Sequence, residues 1–270
     1  MPDGGALRVG TLNLASGRGP DGRVLTAPRL AAAVAGLDAD VLAVQEVDAC
    51  QPRSGGADQA AVVAGALAAA DWRMAATLDG TPSPFRGTWT AADPAGLRGP
   101  GDPVSEPAYG IALVSRRPVR RWAVLGLGTG RARLPLRAPD PGAGRLRTWW
   151  VPDEPRVAVA ACLDGLTVVA THLSFSPPTA VRQLRRVRRW AAALPGPVVL
   201  AGDLNLPGGV PARLTGAARL VQEASFPAHA PRLQLDHVLA LGRAATGRDP
   251  AVQELPVGDH RALTVTVDRG

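Results

Sequence analysis

Apolar positions along this chain gather in short runs that finish on polar residues. Residues 7–13 read LRVGTLN, 40–47 DVLAVQEV, 109–116 YGIALVSR and 157–163 VAVAACL. Residues 166–173 (LTVVATHL), 197–203 (PVVLAGD), 233–240 (LQLDHVLA) and 262–268 (ALTVTVD) continue the series. Several are wholly apolar or alternate with period two, which predicts β-strands. Asp164-Gly165 separates two of them and predicts a tight hairpin. Helical periodicity predicts helices at 28–37, behind Thr26 as a cap, at 57–70 and at 179–194. In the last of these Val181, Leu184, Val187 and Ala191 share one face. Segments 80–107 and 126–156 are rich in Pro, Gly and Arg and read as long loops. The mixture of hairpins and strand–helix units predicts an α/β (α+β) protein with packed sheets and helices outside.

Composition narrows this without changing it. The 270 residues are 46% hydrophobic and 20% charged, as expected of an ordinary globular chain. No composition break or internal repeat divides it, so one domain over 1–270 is expected, with its core at about 7–268. No apolar run reaches the length of a membrane span. The opening MPDGGALRVG lacks the basic and apolar regions of a signal peptide, and a cytoplasmic location is expected. Cys50 and Cys162 stand far apart, outside any C-x-x-C pattern, and read as two small packed residues in a reducing compartment. The net charge of +7 favours polyanionic partners. However, the chain has no lysine, a single isoleucine (Ile111) and abundant Ala, Gly, Pro and Arg, a bias expected of a GC-rich coding sequence. Basicity is therefore a weak argument for nucleic acid.

The chemistry lies at the strand ends. Asn13 closes the first run, Glu46 the second and His172 the run LTVVATH. Asp203 and Asn205 follow VVLAG, Asp236 and His237 sit in QLDHVLA, and Asp259-His260 precede the last run. Singly, each has a plain explanation as a turn former, a solvated acid or a structural histidine. Together, carboxylates, amides and imidazoles without Lys or Cys suit a hard, oxygen-ligated cation and a phosphate. A serine nucleophile would call for a G-x-S-x-G elbow, which is absent, and a P-loop needs a lysine.

The blocks LNL (12–14), VQEV (44–47), YGIALVSR, THLS (171–174), GDLN (202–205), QLDHVLA and GDH (258–260) resemble, in order, those of the endonuclease/exonuclease/phosphatase superfamily, the DNase-I-like proteins. The resemblance implies a four-layered α/β sandwich, two packed mixed β-sheets flanked by helices, with the site at one end. It implies a hydrolase of phosphate esters using Mg2+ (or Mn2+), one or two ions. Carried over by position, Glu46 resembles the main metal ligand, with Asn13 beside it or bound through water, and Asp259 a second metal-side carboxylate. Asp203 resembles the residue that orients or deprotonates the attacking water, and Asn205 the amide that holds the nucleophile or a phosphoryl oxygen. His260 resembles the catalytic imidazole with Asp236 as its carboxylate partner. His172 resembles the second imidazole, in contact with phosphate. Tyr109 is a weaker candidate donor to a phosphate oxygen. In extended backbone Asp203 and Asn205 would face the same way, and Gly202 would allow close backbone approach. His237 should then face elsewhere. Glu106 is a candidate partner for His172.

These motifs do not set the substrate. Arg116, Arg117, Arg120, Arg121, Arg131 and Arg133 are candidates for a phosphate-tracking surface, against the alternative of a solvated Arg-rich face. The stretch RQLRRVRR (182–189) reads as the solvated face of an outer helix. Trp149-Trp150 reads as a membrane or apolar-substrate contact, or as loop packing. Three functions stay open: a nuclease-type phosphodiesterase, the same chemistry on a phospholipid, inositol phosphate or other small phosphate ester, and a non-catalytic binding protein. A phosphate-ester partner, possibly nucleic acid, and a monomeric state are expected.

Overall fold

The computed structural model describes residues 5–82, 88–139, 145–242 and 245–269. In chain order its strands begin with β1 (Leu7–Asn13), β2 (Val41–Ala49), β3 (Asp71–Gly80), β4 (Trp89–Ala91), β5 (Ala108–Ser115), β6 (Arg121–Gly128), β7 (Arg133–Pro139) and β8 (Leu146–Pro152). They continue with β9 (Arg156–Cys162), β10 (Thr167–His172), β11 (Val198–Asp203), β12 (Ala218–Arg219), β13 (Asp236–Leu241), β14 (Ala245–Gln253) and β15 (Ala262–Arg269). The helices are α1 (Ala27–Val34), α2 (Gln59–Ala66), α3 (Pro177–Ala191) and α4 (Val210–Thr215). No described helix is long and apolar enough to cross a membrane.

Two mixed sheets carry the fold. One has seven strands in the order β14-β15-β1-β2-β5-β3-β4, and the other six in the order β12-β13-β11-β10-β9-β6. The continuous apolar runs are explained by burial on both faces. In β2, Val41 and Ala43 enter the core between the sheets, while Leu42 and Val44 face the layer of α1 and α2. In β11, Val199 and Ala201 enter the central core, while Val198 and Leu200 meet Ala180, Leu184, Val187 and Ala191 of α3. The result is the expected four layers, helix–sheet–sheet–helix, with three apolar seams. The arginines of 182–189 lie on the solvent side of α3.

Asp164-Gly165 forms the hairpin between β9 and β10, as its sequence requires. The reading of 126–156 as a loop is corrected: β7 and β8 pair there as a separate two-stranded ribbon. Its strands mix Pro and Arg with Leu and Trp, so neither period dominates. Trp150 stands 62% exposed on it. Among its described residues, segment 80–107 carries the short β4 after the end of β3, and its residues 83–87, like 140–144 of the ribbon, lie outside the described residues. Strand β14 is an edge strand with Pro250 at a register shift, which explains why its sequence shows no strand signal.

The arginines expected to track phosphate do not form one surface. Arg116, Arg117 and Arg120 engage the Leu67 carbonyl, Asp40 and Asp164. These lie where β5 ends against the start of β2, the end of the sandwich away from Glu46. Arg131 and Arg133 instead lie at the base of the ribbon, beside Asp153.

Candidate active site

Register builds half of the site. His172 of β10 pairs with Asp203 of β11, and Asp203 pairs with Asp236 of β13. Directly paired residues share a sheet face, so three polar side chains stand in one row at the mouth of an otherwise apolar sheet. Gly202 permits this. A Cβ there would overlap the Thr171 carbonyl oxygen of β10, so any larger residue would force β10 and β11 apart beside His172 and Asp203.

Asn205 reaches the site by a different route from the one expected. The strand ends at Asp203, and Asn205 adopts a left-handed φ of 50°. Its backbone N–H donates to Asp203 Oδ1 at 2.9 Å, closing an Asx turn. The turn, not strand pleating, brings the two side chains together. Asn205 Nδ2 donates to the Leu173 carbonyl at 2.9 Å and lies 3.2 Å from His172 Nε2.

The other sheet supplies Glu46 and Asn13. Strand β2 shifts register between Val44 and Val47, and Glu46 sits in that bulge with φ 54°. A bulge re-aims a side chain; here it turns Glu46 out of the alternation that buries Gln45 against Thr11. Asn13 Nδ2 donates to both Glu46 Oε1 (3.1 Å) and Asp203 Oδ2 (3.2 Å), bridging the sheets. The Ala15 backbone N–H donates to Asn13 Oδ1, which fixes the amide's orientation. Asn13 thus holds two carboxylates apart, and its oxygen faces away from them.

Two imidazoles occupy opposite electrostatic settings. Burial alone would push the His260 pKa down. The Asp236 charge and the 2.6 Å contact from His260 Nδ1–H to Asp236 Oδ2 outweigh it, and Asp203 and Asp259 add to the effect. His260 is held up at about 10 and is a cation at neutral pH. Phe226 packs on its ring at 4.8 Å between centroids. His172 is pushed well below the ordinary imidazole range by burial, by Arg156 and by His260. Arg156 Nη1 lies 3.1 Å from His172 Nδ1. The expected pairing of His172 with Glu106 is therefore corrected: Glu106 lines a different pocket with Met74, Asp79 and Arg98.

The carboxylates are also perturbed. Asp203 rises to about 7, first through burial and then through the neighbouring Asp236 charge. Glu46 is raised by burial against the lowering effect of Asn13. Asp259 is 64% exposed, with Oδ1 3.9 Å from His260 Nε2. Tyr109 is buried, with Arg53 stacked over its ring, and its phenol is held neutral by burial and by Glu46. His237 faces away, its Nε2–H donating to the Leu206 carbonyl at 2.8 Å.

Asp203, Asp236 and His260 present ligand atoms within 4.8 Å of one another. His260 Nδ1 is committed to Asp236, so this trio reads as a hydrogen-bonded acid–imidazole pair beside a base rather than as a cation cage. Glu46 is a second group that could hold a cation. Among the described residues its one hydrogen-bond partner is the Asn13 amide, and the Arg156 charge acts on it without a direct ion pair. Glu46 with Asp259 could offer a divalent ion hard oxygen donors.

Sequence reasoning missed Arg156, 4% exposed at the start of β9, and Ser225, whose Oγ accepts from the Asp236 backbone N–H. A lone arginine opening the apolar run RVAVAAC was the available signal for the first. Nothing local marks Ser225.

A family model for the endonuclease/exonuclease/phosphatase family matches residues 10–260. No curated protein matches in sequence. Among solved structures, an endonuclease/exonuclease/phosphatase from Beutenbergia cavernae is 21% identical, with TM-score 0.65 over 98% of this chain and 72% of that one. A mannosyl-6-phosphatase from Bacteroides thetaiotaomicron is 14% identical, with TM-score 0.60 over 97% of this chain and 99% of its own. Sphingomyelinase C from Streptomyces griseocarneus is 17% identical, with TM-score 0.54 over 97% and 99%. At these identities the likeness is one of fold.

Proposed function

The chain belongs to the endonuclease/exonuclease/phosphatase family, and on that premise we propose that it hydrolyses a phosphodiester by metal-assisted attack of water. One observation carries the reading. A carboxylate at about 7, Asp203, stands 3.9 Å from an imidazolium at about 10, His260, with neutral His172 and Asn205 beside it. Titratable neighbours whose environments push them apart divide acid and base roles.

Asp203 is the base. Its affinity for a proton near neutral pH suits it to take one from water. Asn13 and the Asn205 backbone fix its two oxygens. His260 holds a positive charge at Nε2, and Asp236 keeps the ring oriented and protonated. Asn205 Nδ2 supplies a neutral donor for a phosphoryl oxygen. Glu46 and Asp259 would hold Mg2+ or Mn2+, which supplies charge stabilisation for the phosphoryl oxygens.

The nuclease-type expectation loses support from the arginines, because Arg116, Arg117 and Arg120 are engaged at the far end. We therefore favour a compact phosphate ester over a long polyanion as the substrate. The test is hydrolysis of bis(p-nitrophenyl) phosphate, a sugar phosphate, sphingomyelin vesicles and supercoiled plasmid, with magnesium, with EDTA and with His260→Ala. Metal-dependent turnover of a small ester, lost in the variant, is the expected result. Silence on every substrate would leave a binding protein as the better reading. Efficient plasmid nicking alone would restore the nuclease.

A further inference from the structure

We infer that Arg156 is a positioning residue that fixes the tautomer of His172, making its Nε2–H a donor aimed at the substrate phosphate. This rests on the hydrolytic reading of the site for its purpose, but not for its geometry.

Three observations lead to it. Arg156 Nη1 approaches His172 Nδ1 at 3.1 Å. A guanidinium carries only donors and keeps its proton at any ordinary pH, so the nitrogen it faces must offer a lone pair. A neutral imidazole has one such nitrogen, and the single ring proton is left on Nε2. The opposite tautomer would set Nδ1–H against a fixed cation.

The second observation concerns the other side of the ring. His172 Nε2 lies 3.2 Å from Asn205 Nδ2. Asn205 Nδ2 gives one hydrogen to the Leu173 carbonyl and has a second, so it and Arg156 compete for the ring's single lone pair, and the charged guanidinium is the stronger donor. With the proton on Nε2, two N–H groups stand side by side facing the mouth of the site. Two converging donors lack an acceptor between them, and an anionic oxygen supplies one. Asp203 Oδ2, at 3.7 Å from Nε2, is beyond hydrogen-bond length.

Third, Arg156 is poorly employed as a structural residue. It is 4% exposed, its one carboxylate contact is Glu154 at 3.4 Å, and its Nε has no hydrogen-bond partner among the described residues. A buried cation so loosely paired does little for the fold. Its placement is nonetheless rigid. Asp153, three residues earlier, accepts from Ser174 Oγ and from the Gly130 backbone N–H, both at 2.8 Å. That latch ties the approach to Arg156 to the residue two positions after His172. The two imidazoles are thereby given opposite partners: a carboxylate makes His260 donate from Nδ1, and a guanidinium makes His172 accept there.

The test is long-range proton–nitrogen NMR of the imidazoles in metal-free protein, with assignment by His172→Gln. The parent should show His172 as the Nε2–H tautomer. Arg156→Met should abolish that preference and lower kcat on bis(p-nitrophenyl) phosphate by on the order of 10- to 100-fold, with KM changed less. Arg156→Lys keeps a donor at Nδ1 and should recover both readouts in part. An Nδ1–H tautomer in the parent, or an Nε2–H tautomer that persists in Arg156→Met, would overturn the inference. The parent spectrum decides even if Arg156→Met fails to fold. Because the spectra require no turnover, failure of the hydrolytic reading would be seen separately, as inactivity of a parent with the expected tautomer.

Discussion

Asp236→Asn keeps the shape of the side chain but removes the charge that holds His260 protonated. The folded His260 value, about 10, lies above the ordinary 6.5. A group raised on folding stabilises the fold fully below its unfolded value and loses that contribution as pH rises through its folded value. At about 1.36 kcal/mol per unit, His260 contributes ~5 kcal/mol below pH 6.5, ~3 kcal/mol near pH 7.5 and almost nothing beyond pH 10. Its side chain is 7% exposed, so solvent screening takes little from this. Asp203 and Asp259 also hold His260 up, so the variant should be less stable than the parent by at most those amounts, and the two should converge as pH approaches 10. The assay is urea unfolding with EDTA at four pH values between about 6 and 10, followed by tryptophan fluorescence. A stability difference that stays constant across that range would refute the reasoning, because it would mean that Asp236 acts by packing alone.

Other perturbations test other parts of the site. Gly202→Ala should cost about 1–3 kcal/mol or more by overpacking and should abolish turnover, since the new Cβ overlaps the Thr171 carbonyl between His172 and Asp203; near-parental thermal stability would contradict this. His237 is held down at about 4 by burial, so its contribution is present above pH 6.5 and is lost as pH falls through 4, by roughly 3 kcal/mol; His237→Gln should flatten that acid limb in unfolding titrations. Arg53→Met strands the buried Asp48, whose oxygens it meets at 2.6 and 2.9 Å, and should cost about 3–5 kcal/mol by chemical denaturation. EDTA should remove activity and added magnesium restore it, while Glu46→Gln should raise the magnesium needed for half-maximal rate by ~10-fold or more; an unchanged requirement would move the ion away from Glu46.

Local sequence by itself determined a good deal. Apolar runs long enough for one strand, with helices between them, led to two sheets, because a strand apolar on both faces has to be covered on both faces. The Asp164-Gly165 turn and the apolar face of α3 follow from backbone preference and 3.6-residue periodicity alone. The chemical types at the strand ends suited a hard cation and a phosphate better than a nucleophilic serine or a P-loop. Periodicity reports which side of an element is apolar, however, and says nothing about register between distant elements. Tertiary structure decided that β10, β11 and β13 align His172, Asp203 and Asp236 in one row. It decided that a bulge with positive φ turns Glu46 inward and that an Asx turn recruits Asn205. It also separated the arginines, sending Arg116, Arg117 and Arg120 to the far end and leaving Arg156 against His172. The polarity of each imidazole depends on which partner the sheets bring to its Nδ1, from 24 residues away for His260 and 16 for His172. Hydrogen bonds and burial set proton affinities over a few ångströms, and those distances exist only after the two sheets have packed.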